Sequence, residues 1–155
     1  MSLEQVIALQ TAEGHDYLIK FSQFKNVDLP NGINIEIVDV VIARLTDAGR
    51  NNASTLFAIC NLIKEYLETN DVVLYCYCDQ KEIDRSVKRQ GMLPQEFRSE
   101  LFSTLFHKCS NTNYTNTKII IADNDNGDHY IHLIAHNNNA AQVDTIAAQL
   151  RRFHK

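Results

Sequence analysis

Asp71-Val72-Val73-Leu74-Tyr75-Cys76-Tyr77-Cys78-Asp79 is the stretch whose reading decides the fold. Side chains alternate along an extended chain, so Val72, Leu74, Cys76 and Cys78 point one way and Val73, Tyr75 and Tyr77 the other. A strand half in water would alternate apolar with polar residues. One that is apolar on both sides predicts an interior position in a sheet covered on both faces. Asp79-Gln80-Lys81 ends it, which puts a carboxylate where the buried segment meets water.

Upstream of this strand, Leu56, Ile59, Cys60, Ile63 and Leu67 recur at helical spacing and predict a helix of about four turns. Asn51 or Asn52 can cap it by accepting a backbone N–H bond. Before it lies a strand over residues 33–45. Ile33, Ile35 and Ile37 alternate with Asn34 and Glu36, and the run then turns apolar on both sides from Val38 to Ile42. The chain opens on two β-rich runs, residues 6–9 and 17–21, around Glu13-Gly14. Glycine supplies the positive φ of a tight turn, so these read as a hairpin.

Downstream, residues 80–94 form a polar loop broken by Gly91 and Pro94. A helix follows from about Gln95 to Cys109, with Phe97, Leu101, Phe102, Leu105, Phe106 and Cys109 on one face. Pro94 suits its start, where no N–H is needed. Residues 110–117 read as a polar loop. Residues 118–122 and 129–135 form a second hairpin with Asn126-Gly127 as the turn signal. A last helix from about Ala140 carries Val143, Ile146, Ala147, Leu150 and Phe153 as its stripe. Arg151, Arg152 and Lys155 favour the negative pole at its end. The order is β-β-β-α-β-α-β-β-α. The fold class expected is α+β, one domain over residues 1–155, with a six-stranded, mostly antiparallel sheet packed against three helices.

Composition supports this. A chain of 155 residues with 45% hydrophobic and 22% charged residues can bury an ordinary core without staples. A formal charge of −4 disfavours a general nucleic-acid binder, which needs a positive surface to displace counterions. Cys60, Cys76, Cys78 and Cys109 form no C-x-x-C pair, and most fall on apolar faces, as thiols of a reducing compartment do. No apolar run approaches the ~18–20 residues of a membrane span, and no signal peptide precedes the first strand. A cytoplasmic setting without membrane attachment is expected. Asn52-Ala53-Ser54 and Asn113-Tyr114-Thr115 match the glycosylation pattern by chance in that setting.

Five groups of residues invite chemistry. Asp123-Asn124-Asp125-Asn126-Gly127-Asp128 resembles a calcium loop, but its glycine falls at position five, where a ligand belongs, and no glutamate stands at position twelve. A polar hairpin turn is the simpler reading. His132 and His136 share a strand face but lie about 13 Å apart, too far to hold one ion, and His129 points to the other face. No metal and no cofactor is expected. Cys76 and Cys78 read as small core residues, since a nucleophilic thiol needs a lowered pKa and an access route. Lys81, Arg85, Lys88, Arg89 and Arg98 are interleaved with Glu82, Asp84 and Glu96, so the segment is only weakly basic. Asp79 at the strand end, with Arg85 and with Arg98 near a helix N-terminus, is the candidate ligand site.

Leu9-x-Thr11-x-x-Gly14-x-x-Tyr17-x-Ile19-x-Phe21, the helix over residues 56–70, Leu74-Tyr75-x-x-Cys78-Asp79 and Arg98-x-x-Leu101-Phe102-x-x-Leu105-Phe106 occur in this order. In this they resemble an uncharacterised family of small bacterial proteins, found mainly in Bacteroidota and known as a domain of unknown function. The family pattern has a large aromatic residue where this chain has Leu105. The resemblance implies a bacterial cytoplasmic setting and supplies no catalytic residue.

No paired nucleophile and base, metal set or phosphate loop is legible. The expected function is therefore a non-enzymatic interaction or ligand-binding module, with Tyr75 and Tyr77 as an interface that a second copy of the chain would cover. The first alternative is an enzyme or binder of an anionic small molecule using Asp79 with Arg85 or Arg98. The second is weak nucleic-acid binding through the basic residues from Lys81 to Arg98 and from Arg151 to Lys155.

Overall fold

A computed structural model describes residues 4–10, 16–24, 33–44, 53–78, 94–109, 113–125 and 127–152. Its strands are β1 (Gln5–Gln10), β2 (Asp16–Gln23), β3 (Glu36–Arg44), β4 (Val72–Tyr77), β5 (Tyr114–Ile121) and β6 (His129–His136). The helices are α1 (Ala53–Thr69), α2 (Pro94–Cys109) and α3 (Ala140–Arg152), the last entered through a short 3-10 turn at Asn137–Asn139. The strands form one six-stranded sheet in the order β1-β2-β3-β4-β6-β5.

Four of the five pairings are antiparallel. β3 and β4 run parallel, because α1 carries the chain back to the starting end of the sheet between them. The sheet is thus mixed, within the α+β class. As its two-sided apolar pattern requires, β4 is interior, between β3 and β6.

The helices are divided between the two faces. Val72, Leu74 and Cys76 join Phe21, Val38, Val40 and Ile134 in a core closed by Ile59, Ile63, Tyr66 and Leu67 of α1, with Phe106 of α2 packed against it. Tyr66 stacks on Phe21 with ring centroids 3.9 Å apart, fixing α1 to β2. On the opposite face Val73 joins Ile119, Ile121, Ile131, Leu133 and Ala135 under Val143, Ile146 and Ala147 of α3. Asn139 donates to Asp71 at 2.8 Å and ties the entry of α3 to the start of β4.

Two expected boundaries move. β3 begins at Glu36, not Ile33: Asn34 N–H donates to the Gln142 side chain of α3 at 3.0 Å, so this segment's backbone is satisfied outside the ladder. β5 begins at Tyr114, taking in residues read as loop. It is an edge strand, whose outer positions accept polar side chains, and its register with β6 runs from Tyr114↔His136 to Ile121↔His129. The two-sided cover expected over Val38–Ile42 also stops short. Val41 and Ile42 are exposed, because β3 pairs with β4 only from Glu36 to Asp39 and then runs on beyond it. Among the described residues no helix is long and apolar enough to cross a membrane.

Candidate functional site

Residues in register across a sheet point to the same face. That rule sorts the polar side chains of the β4–β6–β5 region into two groups, one sealed and one open.

The sealed group is on the α2 side. His132 of β6 is 0% exposed and Ser99 of α2 1% exposed. Ser99 Oγ lies 2.8 Å from His132 Nε2, and Asn116 Oδ1 of β5 lies 2.8 Å from His132 Nδ1. The Asn116 carbonyl oxygen accepts from Nδ1–H, which leaves Nε2 to accept the Ser99 hydroxyl proton. This is the hydrogen-bond order of a nucleophile, base and orienting group. Burial, with Lys118 adding to it, pushes the His132 imidazole down to about 4. No substrate reaches a serine so enclosed. The three groups instead satisfy one another and dock α2, helped by Gln95 Nε2 donating to Asp128 O (3.2 Å) and Tyr130 Oη donating to Glu96 (3.2 Å). Cys76, opposite His132 on β4, is buried too, and burial followed by the nearby Cys78 and Asp39 pushes its thiol up, away from a reactive thiolate.

The open group is on the α3 side, at the end of the sheet where β4 finishes and β5 turns into β6. Tyr77 Oη lies 2.6 Å from His129 Nδ1, and His129 Nε2 lies 2.7 Å from Asp123 Oδ2. The turn holds Asp123 in place: Asp125 N–H donates to its Oδ1 (3.0 Å), Gly127 N–H to its backbone carbonyl (3.0 Å), and its own N–H to Asp128 Oδ1 (3.3 Å). Gly127 closes the turn with φ 84°, a left-handed conformation that suits glycine. Read in the sequence as a hairpin turn, this segment in the structure spends its first carboxylate on its own backbone and on His129. Tyr75, two residues before Tyr77, is half-covered by Phe24 at 5.0 Å between ring centroids. Burial, reinforced by Asp39 and Tyr77, pushes the Tyr75 phenol up to about 12.

The same face continues over β1–β3, where no described element covers it. Val6 pairs with Lys20 and Lys20 with Val41, and Tyr77 follows Tyr75, the partner of Asp39. Val6 is 57%, Val41 46% and Tyr77 43% exposed, and Lys20 is exposed as well. Ser22 and Asp39 pair in the next row. Burial raises the Asp39 carboxyl and Lys20 lowers it in part.

Of the residues singled out from sequence, Asp79 and Arg85 lie outside the described residues, as does the Arg98 side chain. Arg98 itself is in the first turns of α2. Tyr75 and Tyr77 share a sheet face, the first against Phe24 and the second open. Arg151 and Arg152 are exposed at the end of α3, while Lys155 and the segment from Lys81 to Arg89 are outside the described residues. Sequence reading missed Ser99, Asn116 and the His129–Asp123 pair. The available signal was His129 and Asp123 flanking a short turn, which brings the two ends of a hairpin together. No family profile matches the chain, and no curated protein matches it in sequence.

Proposed function

We propose that the protein is a non-enzymatic interaction module that works as a homodimer, joined through the β1–β3 sheet face opposite α1. The observation that carries this reading is the exposed row Val6, Lys20 and Val41, two β-branched residues flanking a lysine on a face that no described element covers. A twofold interface must be self-complementary. This face offers both signs, Lys20 and Asp39, so each lysine can meet the other copy's aspartate. Asp39 gains from that meeting, since burial already disfavours its charged form and one lysine offsets this only in part. Strands about 4.8 Å apart and about 25 Å long give β1–β3 a face of roughly 15 by 25 Å. That is small beside the ~800 Å² per partner of a standard interface, so the expected dimer is a weak one. The resemblance to the Bacteroidota family belongs to the same proposal and rests on the motif residues.

Sedimentation over a concentration series tests it. Lys20→Glu or Asp39→Lys alone should shift the protein to monomer, by at least tenfold in Kd. An equimolar mixture of the two variants should dimerise again, because the glutamate placed at position 20 of one copy then faces the lysine placed at position 39 of the other. A strict monomer at high concentration ends the proposal. A dimer indifferent to both charges would instead point to pairing through the β1 edge.

A further inference from the structure

The bonded line Tyr77–His129–Asp123 supports more than a fold contact, and we propose that it makes Tyr77 a base-activated nucleophile toward uncharged acyl donors such as activated esters. This role is independent of the dimer. In the tautomer with its proton on Nε2, His129 donates to Asp123 Oδ2 at 2.7 Å and Nδ1 is the accepting nitrogen. That nitrogen lies 2.6 Å from Tyr77 Oη, so it accepts the phenol proton. The order of groups equals that around His132, but here the hydroxyl bearer is 43% exposed, where Ser99 is 1%. Access therefore separates the two. The turn's backbone bonds to Asp123 hold the line in place before any ligand arrives.

The step balances without a cofactor. Tyr77 Oη attacks the ester carbonyl carbon, and its proton passes to His129 Nδ1. Asp123 stabilises the imidazolium; the acyl C–O bond to the leaving group then breaks, His129 Nδ1 gives the proton to the departing oxygen, and the alcohol or phenol leaves as Tyr77 becomes an ester. Uncharged donors are preferred because Asp123, Asp125 and Asp128 surround the line on the turn and Asp39 lies on the same face beyond Tyr75.

The test is p-nitrophenyl acetate with the full chain, following the p-nitrophenolate burst and locating the acetyl group by peptide mass. The expected result is a stoichiometric burst with acetyl on Tyr77, lost in Tyr77→Phe and slowed at least tenfold in His129→Gln. The glutamine of that variant can still accept a hydrogen bond but cannot take the proton. A burst that survives Tyr77→Phe, an acetyl group found on another residue, or a His129→Gln rate equal to wild type would each overturn the assignment.

Discussion

Two histidines three residues apart on one strand end in opposite environments, and the alternation of β6 is the cause. His129 faces the open end of the α3 side; His132 faces α2 and is enclosed. For His132 the consequence is a pH dependence of stability. Its imidazole titrates near 4 when folded, against an ordinary value of 6.5. The unfolded chain thus binds the proton more readily, so stability is fully present above pH 6.5 and falls as the pH drops toward 4. A shift of that size corresponds to about 3 kcal/mol at about 1.4 kcal/mol per unit. Asp39, raised by burial, acts in the opposite sense, so the informative quantity is the difference between wild type and His132→Gln. Urea midpoints measured from pH 7 to pH 4 should fall more steeply for the wild type than for the variant. Parallel profiles would show that His132 is not the acid-sensitive group. At neutral pH, Ser99→Ala should cost about 1–3 kcal/mol, because it removes a buried hydroxyl-to-imidazole hydrogen bond.

Among elements, the β5–β6 turn has the clearest test, since it both closes a hairpin and aims Asp123 at His129. Gly127 holds φ 84°, so Gly127→Ala should destabilise by about 1 kcal/mol, and Gly127→Asn, which tolerates that region better, by less. Thermal melts of the two variants check the order; equal losses would mean that the backbone conformation is not what sets the cost. The turn also shows what the sequence could and could not reveal. Asn126-Gly127 marked the hairpin, the two-sided apolar run of β4 marked an interior strand, and the 3.6-residue stripes marked α1 and α3. Those signals are local. The parallel β3–β4 pairing, the division of helices between faces and the meeting of Ser99, Asn116 and His132 depend on contacts between residues far apart in sequence. No local pattern encodes them. The start of β5 was missed because an edge strand does not need the apolar alternation that identifies a half-buried one.

Across the whole molecule, cover is uneven, and uneven cover should produce uneven stability. Every residue of β6 from Tyr130 to Ala135 is buried, and β4 is buried from Val72 to Leu74, while β1 has no buried residue and ends the sheet. Local opening costs least where few apolar contacts are broken. Native-state hydrogen exchange should therefore show β1 and the outer amides of β2 exchanging through small openings. The amides of β4 and β6 should exchange only with global unfolding. The proposed dimer adds a second term, because a partner seated on β1–β3 protects that ribbon and not β4–β6. Repeating the measurement at rising protein concentration should slow exchange selectively in β1, β2 and the end of β3 from Val41 onward. If protection there stays constant while sedimentation reports a dimer, the contact lies elsewhere on the molecule. If β1 proves as protected as β6 in the monomer, the uneven-cover account of the fold fails, whatever the oligomeric state.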